Sequence, residues 1–158
     1  MAETSFSVSA IGWVRCERTT PEDDDWGDVE STIELDLQRF TPEVLTGLTD
    51  FSHIDVVFLM DQVDATKVNL GARHPRNRED WPLVGIFAQR AKGRPNTIGV
   101  TTCELVDVGG LTVTVRGLDA IDATPVLDIK PHMREFQPRS PVRQPDWVAE
   151  LMAEYWER

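Results

Sequence analysis

Apolar residues recur at every second position through much of this chain, and only near its end do they recur at helical spacing. Ile33-Glu34-Leu35-Asp36-Leu37 is the clearest stretch: a period of two puts Ile33, Leu35 and Leu37 on one face and the acids on the other, as in a half-buried strand. Phe6 to Cys16 alternates more loosely and predicts an earlier strand. Ile54 to Met60 is a nearly continuous β-branched and apolar run, which predicts a central strand covered on both sides. Val84 to Ala88 predicts a short strand and Ile98 to Val108 a longer one. The longer one runs into Gly109-Gly110, and Leu111 to Val115 alternates directly afterwards, so the glycine pair is expected to turn a two-residue hairpin. Val126 to Ile129 is a last extended run, beyond an acid-rich turn that follows Gly117.

Between these runs lie punctuation and loops. Thr41 can cap a short helical turn, Pro42 suits its first position, and Gly47 can end it in a left-handed conformation. From Asp61 to Pro82 the chain is polar and carries Gly71, Pro75 and Pro82, which predicts a long loop of the kind that is usually functional or mobile. Pro138, Pro141 and Pro145 lead into one helix, from Pro145 to about Trp156. Its stripe of Trp147, Val148, Leu151, Met152, Tyr155 and Trp156 must be buried against the barrel or against a partner subunit. The expected fold is therefore mainly β: a small closed or partly open β-barrel with long loops and one C-terminal α-helix. The barrel is expected to take residues 1–137, and the proline-rich connection and helix residues 138–158.

Composition narrows the function classes. The chain of 158 residues has the size of one domain, and 41% hydrophobic with 27% charged residues is too apolar for disorder. No apolar stretch approaches the roughly 18 residues of a membrane span, and Met1 to Ser9 has neither a basic start nor an apolar signal core, so a cytoplasmic protein without a membrane partner is expected. Cys16 and Cys103 are too few for a disulfide framework or a zinc site and are expected to be reduced structural thiols. The net charge of −11 argues against a broad nucleic-acid surface, yet charge is segregated: eight acids fall within 22–36 and seven bases within 67–94, so a local basic face remains open.

No dinucleotide-binding glycine pattern, phosphate-binding loop, zinc-protease motif or Cys-x-x-Cys occurs. Polar chemistry concentrates instead in Gly85-Ile86-Phe87-Ala88-Gln89-Arg90 with Arg94-Pro95-Asn96-Thr97-Ile98-Gly99, and in Gly117-Leu118-Asp119-Ala120-Ile121-Asp122-Ala123-Thr124-Pro125-Val126-Leu127-Asp128-Ile129-Lys130-Pro131. These two blocks, with Ile11-Gly12-Trp13-Val14-Arg15 and Leu48-Thr49-Asp50-Phe51-Ser52-His53-Ile54, resemble in order the motifs of the TsaA-like (YaeB-like) family of β-barrel proteins that bind S-adenosylmethionine, related to the tRNA N6-threonylcarbamoyl-adenosine methyltransferases. Four ordered blocks across roughly residues 10–131 are far more specific than any one of them.

The resemblance implies a homodimeric barrel with S-adenosyl-L-methionine as cofactor near the subunit interface, and tRNA as a possible methyl acceptor. By position, cofactor contacts would fall on Asp25 and Trp26, on Asp61 and Gln62, on Phe87, Ala88, Gln89, Arg90 and Val100, and on Asp119, Ala120, Ile121, Asp122 and Thr124. Arg73, Arg76, Arg94 and Asn96 are candidates for touching the acceptor, and no metal site is expected. This chain departs from the family where Thr97 replaces a common proline, where His132 replaces a common tyrosine, and where Asp23-Asp24-Asp25-Trp26 replaces a Pro-Arg-Gln element. It also ends soon after the barrel blocks, so the additional C-terminal domain of tRNA-modifying members is expected to be missing.

The residue types suit such a cofactor. A sulfonium and an ammonium are cationic, so Asp61, Asp119 or Asp122 can favour binding, while Arg90 can pair with a carboxylate. Methyl transfer depends mainly on alignment, with one proton to be removed from the acceptor, for which Asp128, Lys130 or His132 is available. Plainer roles stand beside these: turn formation for Asp119, Asp122 and Asp128, surface pairing for Arg94 and Asn96, a buried hydrogen-bonded role for His53, phosphate contact or a solvated surface for His74, and a solvated acidic loop for Glu22 to Asp25. Three function classes remain: a methyltransferase of tRNA or another substrate, an S-adenosylmethionine-binding module without catalysis, and a metal-dependent hydrolase.

Overall fold

The computed structural model describes residues 2–157; Met1 and Arg158, the outer ends of the two expected ranges, lie outside the described residues. Six strands close into an antiparallel barrel: β1 (Gly12–Arg15), β2 (Glu30–Leu35), β3 (His53–Leu59), β6 (Ile98–Gly109), β7 (Thr112–Arg116) and β8 (Pro125–Pro131), in the order β1-β2-β7-β6-β3-β8. A two-residue ribbon, β4 (Ala72–Arg73) with β5 (Val84–Gly85), stands apart and pins the long loop. The expected barrel is thus a closed one.

Period-two patterning builds the interior. Ile33 and Leu35 of β2, Ile54, Val56 and Phe58 of β3, Cys103 of β6, Val113 and Val115 of β7 and Val126 of β8 all point inward and are buried. Burial of Cys103 pushes its thiol up to about 12, helped by Asp119 and Asp55, so it packs as a small apolar group. Strand β6 makes closure possible. Its first half pairs with β3, from Ile98 opposite Leu59 to Glu104 opposite His53, and its second half pairs with β7 across a bulge between Leu105 and Asp107. An extra residue on one strand bends it and increases its twist, which lets one strand serve two walls of a narrow barrel.

Several expectations need correction. The first strand is limited to Gly12–Arg15, and β2 starts at Glu30 and ends at Leu35, leaving Leu37 79% exposed in the turn that follows. β3 is buried on one face only; its other face, with Asp55, Val57 and Leu59, is half-buried, because a barrel wall has an outside. His53 is exposed and bonds the neighbouring Ser52 hydroxyl at 2.8 Å rather than sitting in the core. Gly109 pairs with Thr112, so the hairpin turns on Gly110-Leu111, one residue later than expected, with Gly110 at φ +60°. Ile86 to Ala88 is a 3-10 turn rather than the end of a strand. The C-terminal helix α1 is only Asp146–Leu151, and residues up to Trp156 continue as turns.

Candidate functional site

Asp119 is the hub of the most constrained polar cluster. It lies in the connection between β7 and β8, where Gly117, at φ +81°, turns the chain and buried Leu118 and Ala120 anchor the segment to the core on either side. Its two carboxylate oxygens take one hydroxyl each: Thr101 of β6 donates to Oδ1 and Tyr155 of the C-terminal segment to Oδ2. Burial, then the negative charge of Asp119, raises the Tyr155 phenol well above its ordinary range, while Arg90 and Arg76 pull the other way. Tyr155 is therefore a neutral donor at physiological pH. No local pattern separates it from the packing stripe, since its contact with Asp119 spans 36 residues.

The segment 154–156 is tied to the acidic loop as well. Asp25 and Trp26 donate their backbone amides to the carbonyls of Glu154 and Tyr155 at 3.0 and 2.9 Å. Asp25 adopts φ +63°, and Arg18 braces the turn by donating to the carbonyls of Asp24 (2.8 Å) and Asp25 (2.5 Å) while lying 4.4 Å over the Trp26 ring. Asp24 accepts two bonds from Arg76 at 2.7 and 2.9 Å, so the segregated acids and bases meet in a bidentate pair. That pair raises the Arg76 guanidinium further above its ordinary value. The acidic run is thus partly built into the structure rather than a freely solvated loop. Helix α1 completes the junction: Trp81 donates its indole N–H to Glu150 at 2.7 Å and its ring lies 6.4 Å from Trp147.

Arg90 stands beside this cluster, donating from Nη2 to the Val100 carbonyl at 2.6 Å. Asp25, Trp26, Arg90, Val100 and Asp119, drawn from four distant parts of the sequence, therefore converge around one end of the barrel. Others among the expected contacts hold the scaffold. Gln89 is buried and donates to the carbonyls of Arg73 and Val84, and Arg94 donates to the Gln89 carbonyl at 2.6 Å. Asp122 accepts from the Cys16 amide at 3.2 Å, Ala120 and Thr124 are buried, and Ile121 is half-buried. Phe87 and Ala88 are exposed on their 3-10 turn, and Asp61 and Gln62 are exposed just past β3. Arg73 reaches Asn77 at 3.1 Å, and His74 bonds the Trp81 carbonyl at 2.7 Å, so both brace the long loop. Asn96 and Thr97 are both left-handed, at φ +65° and +47°; a proline, with φ fixed near −65°, could not take the place of Thr97 in this backbone.

Asp128, Lys130 and His132 form a separate polar row on the outer wall. Asp128 and Lys130 pair at 2.6 Å, and His132 Nδ1 lies 3.0 Å from Asp55, which also accepts from Thr102 at 2.5 Å. Asp128 and Lys130 are register partners of Val57 and Asp55, whereas Thr101, the partner of Asp119, faces inward opposite Val56. Within one chain Thr101 and its partner Asp119 are therefore on the side of the sheet opposite to this row, while Val100, opposite Val57, shares the row's outer face. Among the described residues no group of three or more His, Cys, Asp or Glu is arranged to hold a metal, and no helix is long and apolar enough to cross a membrane.

A closed six-stranded antiparallel barrel with a carboxylate hub and an arginine at one rim is distinct from doubly wound nucleotide folds. The chain belongs to the family described as the tRNA-methyltransferase O N-terminal domain, which matches residues 15–137. It is 33% identical over 139 residues to a protein of Methanothermobacter thermautotrophicus named "Probable S-adenosyl-L-methionine-binding protein", covering 86% of this chain and 96% of that one. It is 35% identical over 101 residues to the human tRNA (adenine(37)-N6)-methyltransferase, covering 64% of this chain but 22% of the human one. The crystal structure of TrmO from Pseudomonas aeruginosa superposes with a TM-score of 0.73 at 27% identity, covering 92% of this chain and 62% of that one. The chain thus spans nearly all of the archaeal relative and a fraction of the tRNA methyltransferases.

Proposed function

We propose that this protein binds S-adenosyl-L-methionine at the rim around Asp119 and transfers its methyl group to an RNA nucleophile, the N6 of a modified adenosine in tRNA. The observation that carries the reading is the convergence of Asp25, Trp26, Arg90, Val100 and Asp119 on one end of the barrel. The residues fit the cofactor chemically. Asp119 keeps lone pairs beyond the two hydroxyls it accepts from, and its charge complements a sulfonium or ammonium; exposed Arg90 suits a carboxylate. The cofactor supplies an electrophilic methyl on a positively charged sulfur. The protein's part is to hold donor and acceptor in line and to take one proton, for which Asp128, Lys130 and His132 are the candidates.

Those three lie on the outer wall, on the face away from Thr101 and Asp119, and a second copy docked on that wall would bring its own set towards the first copy's rim. That outer wall is also apolar, with Val100 45%, Ile98 44% and, on the neighbouring turn, Phe87 79% exposed. We therefore propose a homodimer through this face. Light scattering at micromolar concentration should return about twice the 17.8 kDa chain mass, and a monomer with full cofactor affinity would exclude the shared site. The proposed reaction is a cytoplasmic one, a reading supported by the tRNA methyltransferases among the relatives. The phosphates of a tRNA acceptor would meet exposed bases such as Lys92, so RNA binding should weaken as salt rises.

Calorimetry should give a micromolar dissociation constant for S-adenosylmethionine, about −8 kcal/mol. Cofactor labelled on its methyl group, incubated with cell tRNA, should place label on adenosine N6. Binding without transfer would leave the cofactor-binding module as the correct reading. That second reading is favoured by one observation: Arg76, Arg78 and Arg94 are each already bonded within the chain, to Asp24, Asp80 and the Gln89 carbonyl. No binding at millimolar cofactor would remove both.

A further inference from the structure

Tyr155 lies outside the part of the chain that carries the family match, which ends at residue 137. Its hydroxyl nevertheless reaches the carboxylate at the centre of the proposed site. We propose that Tyr155 is a positioning residue for ligand binding: its hydroxyl fixes the Asp119 carboxylate, from the side opposite to Thr101, in the orientation that receives the cofactor's cationic or hydroxyl groups. This rests on the reading of Asp119 as a cofactor residue given above.

The geometry favours orientation over mere packing. An aspartate side chain has two torsions to lose on binding a ligand, and two hydroxyls on its two oxygens remove that freedom beforehand. Thr101 comes from β6, part of the barrel, and is buried; Tyr155 comes from the C-terminal segment. The two therefore grip Asp119 between the barrel and the strap that crosses its rim. The strap itself is located by backbone, since the amides of Asp25 and Trp26 hold the carbonyls of Glu154 and Tyr155. The Tyr155 and Trp156 rings pack edge to face at 4.8 Å between centroids, which limits rotation of the phenol. As a neutral hydroxyl, Tyr155 donates to Asp119 Oδ2. Phenylalanine at this position would keep the ring and its packing and lose only that bond.

The test compares wild type, Tyr155→Phe, Asp119→Ala and the double variant by calorimetry with S-adenosylmethionine, with amide exchange at Trp26 followed in each protein without cofactor. Tyr155→Phe should bind about tenfold more weakly, the low end for a hydrogen bond to a charged group. Its Trp26 amide should stay as protected as in wild type, because the backbone bond to residue 155 does not involve the hydroxyl. In the Asp119→Ala background the same change should alter affinity by less than about twofold, since the group it orients is gone. Wild-type affinity in Tyr155→Phe, additive losses in the double variant, or a weaker Tyr155→Phe whose Trp26 amide has become labile would each overturn the proposal, the last by showing that the strap had detached. A wild-type protein that binds no cofactor would instead sink the reading of the site, and the role of Tyr155 with it.

Discussion

Asp119→Ala is expected to weaken S-adenosylmethionine binding by about 10- to 150-fold, the range for losing a hydrogen bond or ion contact made by a charged group. It should also lower the melting temperature, which separates it from a purely surface change. Thr101 is buried and donates to Asp119, so truncation leaves its hydroxyl without that acceptor, and Tyr155 loses its own. An orphaned buried hydroxyl costs about 1 to 3 kcal/mol, and in a chain of this size each kcal/mol shifts melting by about 2 to 4 °C. Arg90→Ala makes the contrast: Arg90 is exposed and bonds one carbonyl, so affinity should fall while melting stays within about a degree. Calorimetry with scanning fluorimetry reads both. Unchanged cofactor affinity in Asp119→Ala would show that the rim cluster is structural only.

How much of this was legible in the sequence follows from the range of each interaction. The inward positions of β2 and β7 could be read because a strand's two faces alternate in neighbouring residues, and Ile33 and Val113 fall where alternation puts them, whereas the unbroken apolar run of β3 hid which of its faces turns inward. Boundaries were less visible. Leu37 continues the period but lies past the end of β2, where Asp36 accepts the amide of Gln38 and turns the chain away. The helical stripe was over-read in the same way: Trp147 and Tyr155 both pack inward, yet only the six residues Asp146–Leu151 are helical, because the later contacts are made by turns held on Asp119 and the acidic loop. The family motifs singled out Asp119 and Arg90 as candidates. Nothing local to Tyr155, Thr101 or Trp81 marked them, since each acquires its partner only when the barrel rim, the long loop and the chain end meet.

That meeting has a single narrow point, and changing it should produce a large loss of affinity without touching the core. Gly27 passes directly under the carbonyl of Trp156: a Cβ there would stand 1.8 Å from that oxygen and 2.8 Å from its carbon. Both neighbours are backbone, so no side-chain rotation relieves the clash and the strap must move. Gly27→Ala should therefore break the amide bonds from Asp25 and Trp26 to residues 154 and 155 and withdraw the Tyr155 hydroxyl from Asp119, while the buried residues inside the barrel keep their contacts. Three hydrogen bonds at about 1 kcal/mol each amount to about 3 kcal/mol, or a melting shift of about 6 to 12 °C. Cofactor affinity should fall at least as far as in Tyr155→Phe, and the Trp26 amide should exchange quickly in native protein, as expected for local opening of a peripheral segment. Gly85→Ala is the control: its φ is −60° and a Cβ there meets nothing within 4 Å, so it should melt and bind as wild type does. If Gly27→Ala kept a protected Trp26 amide and full affinity, the strap would be able to yield without leaving Asp119, and its place as a wall of the site would have to be given up.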